Sequence, residues 1–251
     1  MKHNKFVDSI LKPLLIALLL SSIIRNFIFE NFEIPSSSMV PSLLVGDVVL
    51  VNKFSYGYGN YSSWINPQLH HRIFAKKPRI GDVIVFHCGL VNAPTCIKRL
   101  IAMEGDVVRV HGVNVYVNDV IVGKTKIADG IEDCETGKLC KYVEYSEKLP
   151  NEKEYNVRYR EVMYIREKEE FSIPINMIRA EGTYVVPRGK YFFMGDNRDN
   201  SNDSRNVSGL GMVDELNLIG RAEYVIWNTD RIIKAISSMS IVKIKEIFRS
   251  L

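Results

Sequence analysis

The first long hydrophobic stretch of the chain lies near its N-terminus. Residues 13–24 carry no charge, and after Arg25 the apolar pattern resumes through Phe29. The uncharged part has 12 residues, which fits the core of a cleavable signal peptide, but the stretch through Phe29 has 17, near the lower limit for a helix that crosses a bilayer. No cleavage site of small residues follows, because residues 30–33 are bulky and charged. The pattern therefore predicts a retained transmembrane helix over residues 13–29.

The charges around this stretch predict its orientation. Lys2, Lys5 and Lys12 precede the predicted helix, against Asp8 alone. The cytoplasmic flanks of membrane helices carry an excess of Lys and Arg. We therefore expect a single-pass protein whose N-terminus, residues 1–12, is cytoplasmic and whose remaining chain is exported.

Behind the apolar stretch, the pattern changes to that of short strands. Residues 46–51, 81–86 and 105–110 each begin with Gly-Asp and continue as a run rich in β-branched residues. Gly-Asp favours a turn, and the β-branched run favours a strand. Alternating valines over residues 113–117 are typical of a strand with one buried face. The fold class is therefore mainly β, with further strands predicted at residues 184–186, 191–194 and 219–226.

Charged residues interrupt the strand pattern in the middle of the chain. Residues 152–154 read Glu-Lys-Glu, and residues 166–170 are five consecutive charged positions. Because charged side chains are rarely buried, such a segment is expected to be more solvated than the strands around it. We interpret residues 112–183 as a polar lobe inserted into a β-rich core, which is formed by residues 30–111 and 184–230.

The composition is that of an exported globular protein behind an anchor. Hydrophobic residues make up 46% of the chain and charged residues 25%, close to average soluble usage. The net charge of +4 is weak and scattered, so no nucleic acid is expected as a partner. A basic and apolar tail, residues 231–251, follows the core. We expect it to lie on the membrane as an amphipathic helix or to dock on the core.

Four cysteines form two close pairs in the sequence, Cys88 with Cys96 and Cys134 with Cys140. In an oxidising compartment, each pair can close a short loop as a disulfide. The alternatives are four reduced thiols or a four-ligand metal site, but neither spacing is the C-x-x-C of a zinc knuckle. We therefore favour disulfides and expect neither a metal nor a cofactor.

A serine-rich bend follows the predicted membrane helix. Residues 36–38 are three serines, with Pro35 before them and Pro41 after them. Proline fixes its own φ and biases the preceding residue towards extended backbone, so a helix is disfavoured here. A serine on a rigid turn can present a hydroxyl nucleophile close to the bilayer surface. Taken alone, the segment fits a polar linker better, because short motifs match by chance.

A strand-like segment, residues 96–102, carries two consecutive cations, Lys98 and Arg99. Consecutive residues of a strand point to opposite faces, so one of the two is expected to face inward. Burial disfavours the charged form of an amine, and a buried Lys98 would therefore lose its proton readily. The alternative is a lysine whose stem lies on the surface and whose amine stays in water.

A polar loop follows the apolar residues 191–194. Residues 195–205 comprise one glycine and ten polar or charged side chains. Asn, Asp and Ser side chains can satisfy the backbone of such a loop, and Asp203 lies close enough to Arg205 to pair with it. The alternatives are an ordinary hydrophilic turn or a calcium-binding loop. Calcium is disfavoured, because the ligand spacing of an EF-hand is missing.

Together these segments resemble the motifs of bacterial type I signal peptidases (leader peptidases), the membrane-bound Ser/Lys endoproteases that remove signal peptides from exported proteins. Residues 34–41, Ile-Pro-Ser-Ser-Ser-Met-Val-Pro, match the nucleophile motif of that family, and residues 97–99, Ile-Lys-Arg, match its lysine motif. Residues 195–205 match its G-D-N-R-x-x-S-x-D-S-R motif at each fixed position. Three motifs in this order behind an apolar stretch form a specific signal.

The resemblance implies a role for each matching residue. Ser38 would be the nucleophile and Lys98 the general base. The backbone N–H of Ser38 and the hydroxyl of Ser36 would form the oxyanion hole, and Ser201 would hydrogen-bond to Lys98 and orient it. The remaining residues would support the site (Asp203, Arg205) or line the shallow pockets for small substrate residues one and three before the cut (Phe32, Ile34, Ile97).

The resemblance also implies the architecture, partners and location of the protein. The family fold is a β-rich catalytic core with an inserted cap lobe, and an exposed apolar surface that includes Met39 would rest on the membrane. The partners would be signal-peptide-bearing pre-proteins and the lipid bilayer. The protein would lie in the bacterial inner (cell) membrane with its catalytic domain on the periplasmic side. The pair Cys134–Cys140 resembles a disulfide of some relatives.

Two positions depart from the family pattern. Ser37 stands where glycine is common, and Asn202 stands where alanine is often found beside the lysine. An amide at position 202 could hydrogen-bond to Lys98 and change its pKa. None of the five histidines lies in a matching motif, which argues against a Ser-His-Asp protease.

Two other functions remain open at this point. One is a specialised relative that matures a single secreted or conjugation protein. The other is an anchored β-domain that binds exported peptides without cutting them. Cleavage of many unrelated precursors would exclude the first, and any product would exclude the second.

Overall fold

The computed structural model describes residues 7–62, 68–90, 93–135, 138–161, 163–166, 169–172, 181–228 and 249–250. The mainly β fold class is confirmed, since most of these residues lie in strands. The strands are β1 (Phe29–Glu33), β2 (Asp47–Asn52), β3 (Val83–Leu90), β4 (Ala93–Met103), β5 (Val107–His111), β6 (Asn114–Val117), β7 (Val120–Ile121), β8 (Gly123–Glu135), β9 (Lys138–Lys148), β10 (Glu154–Glu161), β11 (Met163–Arg166), β12 (Glu169–Ser172), β13 (Gly182–Val185), β14 (Lys190–Met194), β15 (Val213–Asp214), β16 (Leu218–Asn228) and β17 (Arg249–Ser250).

An apolar helix precedes the strands. A π-helical turn, Val7–Leu11, leads into α1, Lys12–Phe27, whose first turn contains a proline that needs no hydrogen-bond partner there. The segment Ser9–Phe27 has a mean hydropathy of 1.7. It is the one helix in the described part of the chain that is long and apolar enough to cross a membrane. The helix ends two residues before the predicted limit, since Phe29 already pairs with β2.

The three Gly-Asp pairs form the same kind of turn. Gly46, Gly81 and Gly105 have φ angles of 79°, 92° and 88°, a region that glycine adopts without steric cost. In each turn, the aspartate accepts a hydrogen bond of 2.8–2.9 Å from the backbone N–H three residues before it. The strands β2, β3 and β5 begin at or directly after these aspartates, as the sequence predicts.

The largest sheet assembles the three sequence motifs. Its order is β1-β2-β16-β3-β4-β14-β15, with β17 paired to β16. The serine bend connects β1 to β2, the lysine motif lies on β4, and the polar loop follows β14. Because β4 pairs antiparallel with β14, with Arg99 opposite Met194, the loop after β14 starts beside the lysine. The serine bend reaches the same place through contacts with β4 and with the loop.

The predicted lobe shares a hydrophobic core with the rest of the domain. β8, β9 and β10 form a three-stranded sheet, β11 pairs with β12, and a further sheet has the order β13-β5-β6-β7. One buried cluster contains Val157 and Tyr159 of β10 together with Phe192 and Met194 of β14. The packing of β10 is therefore coupled to the strand that leads into the polar loop.

The C-terminal tail is described at two residues. Arg249 and Ser250 form β17, which pairs with Val225 and Tyr224 of β16. The rest of the tail predicted to form an amphipathic helix, residues 231–248 and 251, lies outside the described residues.

Candidate active site

The serine bend and the lysine strand meet in the structure. Ser38 lies in a 3₁₀ turn, Ser37–Met39, and Lys98 lies in the middle of β4. Nζ of Lys98 donates a hydrogen bond of 2.6 Å to Oγ of Ser38. Both side chains are buried, with exposed fractions of 7% for Ser38 and 5% for Lys98. The fold thus joins a hydroxyl and an amine that are 60 residues apart in the sequence.

The surroundings of Lys98 favour its neutral form. Burial lowers the pKa of Lys98 to about 8, from an ordinary value of 10.5 for a lysine. The carboxylates of Asp203 and Asp196 oppose this shift, because a negative charge favours the ammonium form. Around this pH a large fraction of Lys98 is an uncharged amine, which can accept a proton from Ser38.

Both faces of β4 are covered at the lysine motif. We expected one of the two cations to face inward, and this expectation is wrong because both are buried. Arg99, like Lys98, is almost fully buried, with 4% exposed. Its guanidinium donates two hydrogen bonds to Asp196, at 2.8 and 2.7 Å, and a third of 2.8 Å to the carbonyl of Gly81. Arg99 is thus charged and paired, and it holds β4 against the beginning of the polar loop.

The polar loop holds the serine bend in place. The backbone N–H of Asn197 donates to the carbonyl of Ser38 at 3.0 Å, and its side-chain amide donates to the carbonyl of Ser37 at 3.0 Å. The amide of Asn200 donates to Oγ of Ser37 at 2.7 Å. Three hydrogen bonds therefore fix the turn that carries the Ser38 hydroxyl.

The hydroxyl of Ser36 lies next to that of Ser38. The two oxygens are 3.4 Å apart, and Ser36 is exposed on extended backbone with φ −130° and ψ 158°. A group bound at Ser38 would therefore meet the Ser36 hydroxyl from the solvent side.

One hydrophobic cluster contains the residues that are predicted to line the substrate pockets: Phe32, Ile34 and Ile97. Ile34 and Ile97 are buried, and Phe32 is half-buried. Met39 belongs to the same cluster and is fully buried, so the expectation that it lies on an exposed apolar surface is wrong. Its side chain packs inside this cluster instead.

Ser201 lies beside the serine bend without bonding to the lysine. Its hydroxyl is buried and makes no hydrogen bond to Lys98, so the predicted bond from Ser201 to Lys98 is not formed in this structure. The hydroxyl lies near Asp203 instead and helps to lower the pKa of that carboxyl group. Gly195 explains how close the segments come: a Cβ at this position would lie 2.6 Å from the carbonyl oxygen of Ser38 and would also collide with Ser201. Glycine is required here by close approach.

Asp203 and Arg205 form a buried pair at the end of the loop. The guanidinium of Arg205 donates to both carboxylate oxygens of Asp203, at 2.8 Å each, and the backbone N–H of Gly195 adds a hydrogen bond of 2.9 Å. Burial alone would raise the pKa of Asp203, but the guanidinium and these hydrogen bonds hold it below its usual value. Asp203 is therefore ionised, and its charge acts on the neighbouring Lys98.

Comparison with known families assigns the chain to one of them. The family model described as "Signal peptidase, peptidase S26" matches residues 7–227 of the chain. The chain belongs to this signal peptidase family. Curated relatives support the assignment over nearly the whole length. The signal peptidase I of Rickettsia typhi (strain ATCC VR-144 / Wilmington) is 34% identical over 91% of this chain and 83% of its own. That of Rickettsia prowazekii (strain Madrid E) is 33% identical over 90% and 82%.

A solved structure is also similar. The crystal structure of a signal peptidase I from Enterococcus faecalis V583 shares 24% sequence identity, over 58% of this chain and 97% of that chain, with a TM-score of 0.31.

The cysteines of this signal peptidase family member are paired where the structure describes them. Cys88 and Cys96 form a disulfide across the hairpin of β3 and β4. Cys140 is also disulfide-bonded, and its predicted partner, Cys134, lies outside the described side chains.

The polar loop has a second buried attachment that the sequence analysis missed. Arg198 is 2% exposed and pairs with both carboxylate oxygens of Glu147 on β9, one of them at 2.7 Å. Tyr155 and Tyr159 of β10 donate hydrogen bonds to the same carboxylate. In addition, Arg158 pairs backbone to backbone with the loop on either side of Asn197. No spacing in the sequence predicts the partner of Arg198, because Glu147 lies among many exposed charges of the lobe.

The two departures from the family pattern have different environments. The side chain of Asn202 accepts a hydrogen bond of 3.2 Å from Asn206 and makes none to Lys98. The hydroxyl of Ser37, by contrast, is a hydrogen-bond acceptor that glycine would lack. It accepts a hydrogen bond from the side-chain amide of Asn200. The serine at position 37 thus adds a hydrogen bond between the serine bend and the polar loop.

Ser37→Ala is expected to lower kcat/KM for peptide cleavage by about fivefold, because a hydrogen bond of this kind stabilises the turn that carries Ser38 by about 1 kcal/mol. Asn200→Ala should have a similar effect, and the double variant should be no worse than either single one. Steady-state kinetics of the three variants measure this. Ser208→Ala, on an exposed turn, is the matched control. Additive losses in the double variant would contradict the coupling.

Proposed function

We propose that this protein is a membrane-anchored serine endopeptidase that cleaves N-terminal signal peptides from exported pre-proteins after small residues, with Ser38 and Lys98 as the catalytic pair. The observation that carries the proposal is the 2.6 Å hydrogen bond between Nζ of Lys98 and Oγ of Ser38, in a site that excludes water from the amine. The membership in the signal peptidase family supports the substrate class.

The reaction follows from the protonation state of the pair. Neutral Lys98 takes the proton of Ser38 while Oγ attacks the scissile carbonyl carbon. The resulting oxyanion is stabilised by the N–H of Ser38 and the hydroxyl of Ser36. The Lys98 ammonium then gives its proton to the leaving amine as the peptide bond breaks, which leaves an ester on Ser38. Water hydrolyses this ester with Lys98 again acting as base, and both groups return to their initial state.

The other predicted residues serve this pair. Asp203 and Arg205 keep the polar loop folded against the nucleophile turn, and the buried hydroxyl of Ser201 is available to orient Lys98 once substrate is bound. Phe32, Ile34 and Ile97 would form the floor of the pockets for small substrate residues. Their packing into one cluster supports this assignment.

The proposed location follows from α1. An apolar helix of 19 residues, Ser9–Phe27, is long enough to span the hydrocarbon of a bilayer with little tilt. The lysines before it would keep the N-terminus in the cytoplasm. The catalytic domain would then lie on the outer side of the bacterial inner membrane, where pre-proteins emerge with their signal peptides still in the bilayer.

The proposal is tested by incubating the purified full chain, in detergent or vesicles, with several unrelated secretory precursors over a range of pH. We expect cleavage after small residues at each signal peptide. The rate should rise with pH and level off above about 8, because the pKa of Lys98 lies there and only its neutral form accepts the serine proton. Absence of product from every precursor would overturn the proposal. Cleavage of a single precursor would indicate a specialised maturation enzyme.

A further inference from the structure

A turn near the start of the polar loop bonds to different parts of the molecule on its two sides. The backbone N–H of Asn200 closes this turn with a hydrogen bond of 3.0 Å to the carbonyl of Asn197. On one side, the side-chain amides of Asn197 and Asn200 donate to Ser37 of the serine bend, at 3.0 and 2.7 Å. The other side bonds to β10. We call residues 196–200 the clip, because they join the serine bend to β10.

The outer edge of β10 provides the bonds on the second side of the clip. β10 is the last strand of its sheet, whose order is β10-β9-β8. The backbone N–H of Arg158 donates to the carbonyl of Asp196 at 2.8 Å, and the N–H of Arg198 donates to the carbonyl of Arg158 at 2.9 Å. Two residues further along β10, the backbone N–H of Arg160 donates to the carboxylate of Asp199 at 2.8 Å. The clip thus covers this edge with two backbone bonds and one side chain.

Asp199 connects the two sides of the clip. Asp199 and Asn200 stand at the two variable positions of the G-D-N-R-x-x-S-x-D-S-R motif, so the resemblance gives neither of them a role. The side chain of Asp199 is exposed and adds little to the hydrophobic core. It is bonded to β10, whereas the side chain of Asn200 is bonded to the serine bend. Because adjacent residues share a rigid peptide plane, a change in the position of Asp199 also moves Asn200.

We propose that Asp199 is a positioning residue for the Ser38 nucleophile, and that β10 is the support to which it is bonded. The inference rests on the proposed function, since it takes Ser38 as the nucleophile. With its carboxylate bonded to the N–H of Arg160, Asp199 fixes the clip along β10. Asn197 and Asn200 then hold the serine bend in register with Lys98. A misplacement of about 1 Å is enough to slow such a reaction strongly.

Asp199→Ala and Asp199→Asn test the bond to β10 in the full chain. We expect Asp199→Ala to lower kcat for precursor cleavage by about fivefold with KM unchanged, because one hydrogen bond that orients the nucleophile is lost. Asp199→Asn should restore most of kcat, since its amide oxygen can accept a hydrogen bond from the same N–H. The midpoint of the pH profile should stay in place in both variants. Equal losses of kcat in the two variants, or a normal kcat in Asp199→Ala, would overturn the proposal.

The control for the carboxylate is Asp129→Ala. Asp129 is an exposed aspartate of β8 that pairs with Lys126 of the same strand. Since this pair makes no bond to the clip, kcat and KM should both stay at the values of the parent protein. A loss of kcat equal to that of Asp199→Ala would show that any exposed carboxylate of this sheet has the same effect, and would overturn the role of Asp199.

The donor on β10 is tested by two substitutions of one residue. Arg160→Pro removes the N–H that Asp199 accepts, and proline is tolerated on the outer strand of a sheet. Arg160→Ala keeps this N–H but loses the ion pair of the side chain with Glu132. We expect Arg160→Pro to lower kcat several-fold more than Arg160→Ala, and to cause no further loss when combined with Asp199→Ala. Equal kcat in Arg160→Pro and Arg160→Ala would overturn the role of β10.

Amide hydrogen exchange separates this proposal from the proposed function. Asp199→Ala should speed exchange several-fold in peptides that cover residues 36–38 and 196–200, and Asp199→Asn should not, whether or not a precursor is cleaved. An inactive parent protein with this exchange pattern would overturn the proposed function, and with it the catalytic role of Asp199, but not the clip. Unchanged exchange in Asp199→Ala would overturn the clip, while cleavage by the parent protein would still support Ser38 and Lys98.

Discussion

Lys98→Met is expected to lower kcat/KM for precursor cleavage by about 10³-fold or more, because it removes the group that we propose as general base and later as general acid. The fold should survive, since methionine has a similar length and needs no hydrogen-bond partner in the pocket that now desolvates the amine. The residual rate should also lose the rise with pH towards about 8 that the pKa of Lys98 causes in the parent protein. Cleavage kinetics over a pH series, together with thermal unfolding, measure both effects.

The controls for this experiment are a second variant of the pair and a second buried lysine. Ser38→Ala should lose as much activity as Lys98→Met, and the double variant should lose no more, because the two groups act as a unit. Lys53 is equally buried, with 3% exposed, but pairs with Glu30 away from the serine. Lys53→Met should therefore keep the shape of the pH profile. Near-normal activity in Lys98→Met would rule out the catalytic pair.

Glu147→Ala is expected to lower the free energy of unfolding by about 3–5 kcal/mol, because it leaves the guanidinium of Arg198 buried without its counter-ion. For a domain of this size, the unfolding midpoint should fall by about 10 °C. The loss should reach the active site, since Arg198 follows Asn197, whose backbone and side chain hold the serine bend. Thermal unfolding in detergent, followed by circular dichroism, measures the shift.

Glu144→Ala is the matched control for this substitution. Glu144 also lies on β9 and pairs with Arg158, but both groups of that pair are partly exposed, at 15% and 14%. Water can solvate the guanidinium that remains, so the expected cost is about 1 kcal/mol or less. An equal shift for the two variants would show that the burial of Arg198 and Glu147 is not what stabilises the loop.

Local signals in the sequence predicted several of the described strands correctly. The Gly-Asp turns, the alternating valines and the apolar runs mark β2, β3, β5, β6, β14 and β16, because turn geometry and alternation depend on neighbouring residues alone. The limits of α1 were less accurate. The pairing of Phe29 in β1 ends the helix early, and that pairing depends on β2. The sequence pattern did not predict which strands pair with each other in the sheets.

The candidate site was also predicted only in part from the sequence. The motifs around Ser38, Lys98 and Gly195 supply the residues that we propose as catalytic, but they did not predict that both Lys98 and Arg99 are buried. A strand pattern shows that adjacent side chains face opposite ways, but it does not show that both faces are covered. Ser201 illustrates the converse. Its role was inferred from the motif, and its hydroxyl makes no bond to Lys98 in this structure.

By itself, the sequence determined the apolar helix, the class of the fold and the chemical types at the site, since each is written in short-range pattern and composition. Only the tertiary structure decided that the amine of Lys98 is stripped of water and placed 2.6 Å from one particular hydroxyl. It also decided that Glu147, rather than any other acid of the lobe, neutralises Arg198. Desolvation and pairing depend on segments far apart in the chain, and a pKa follows from what surrounds a group rather than from its neighbours in sequence.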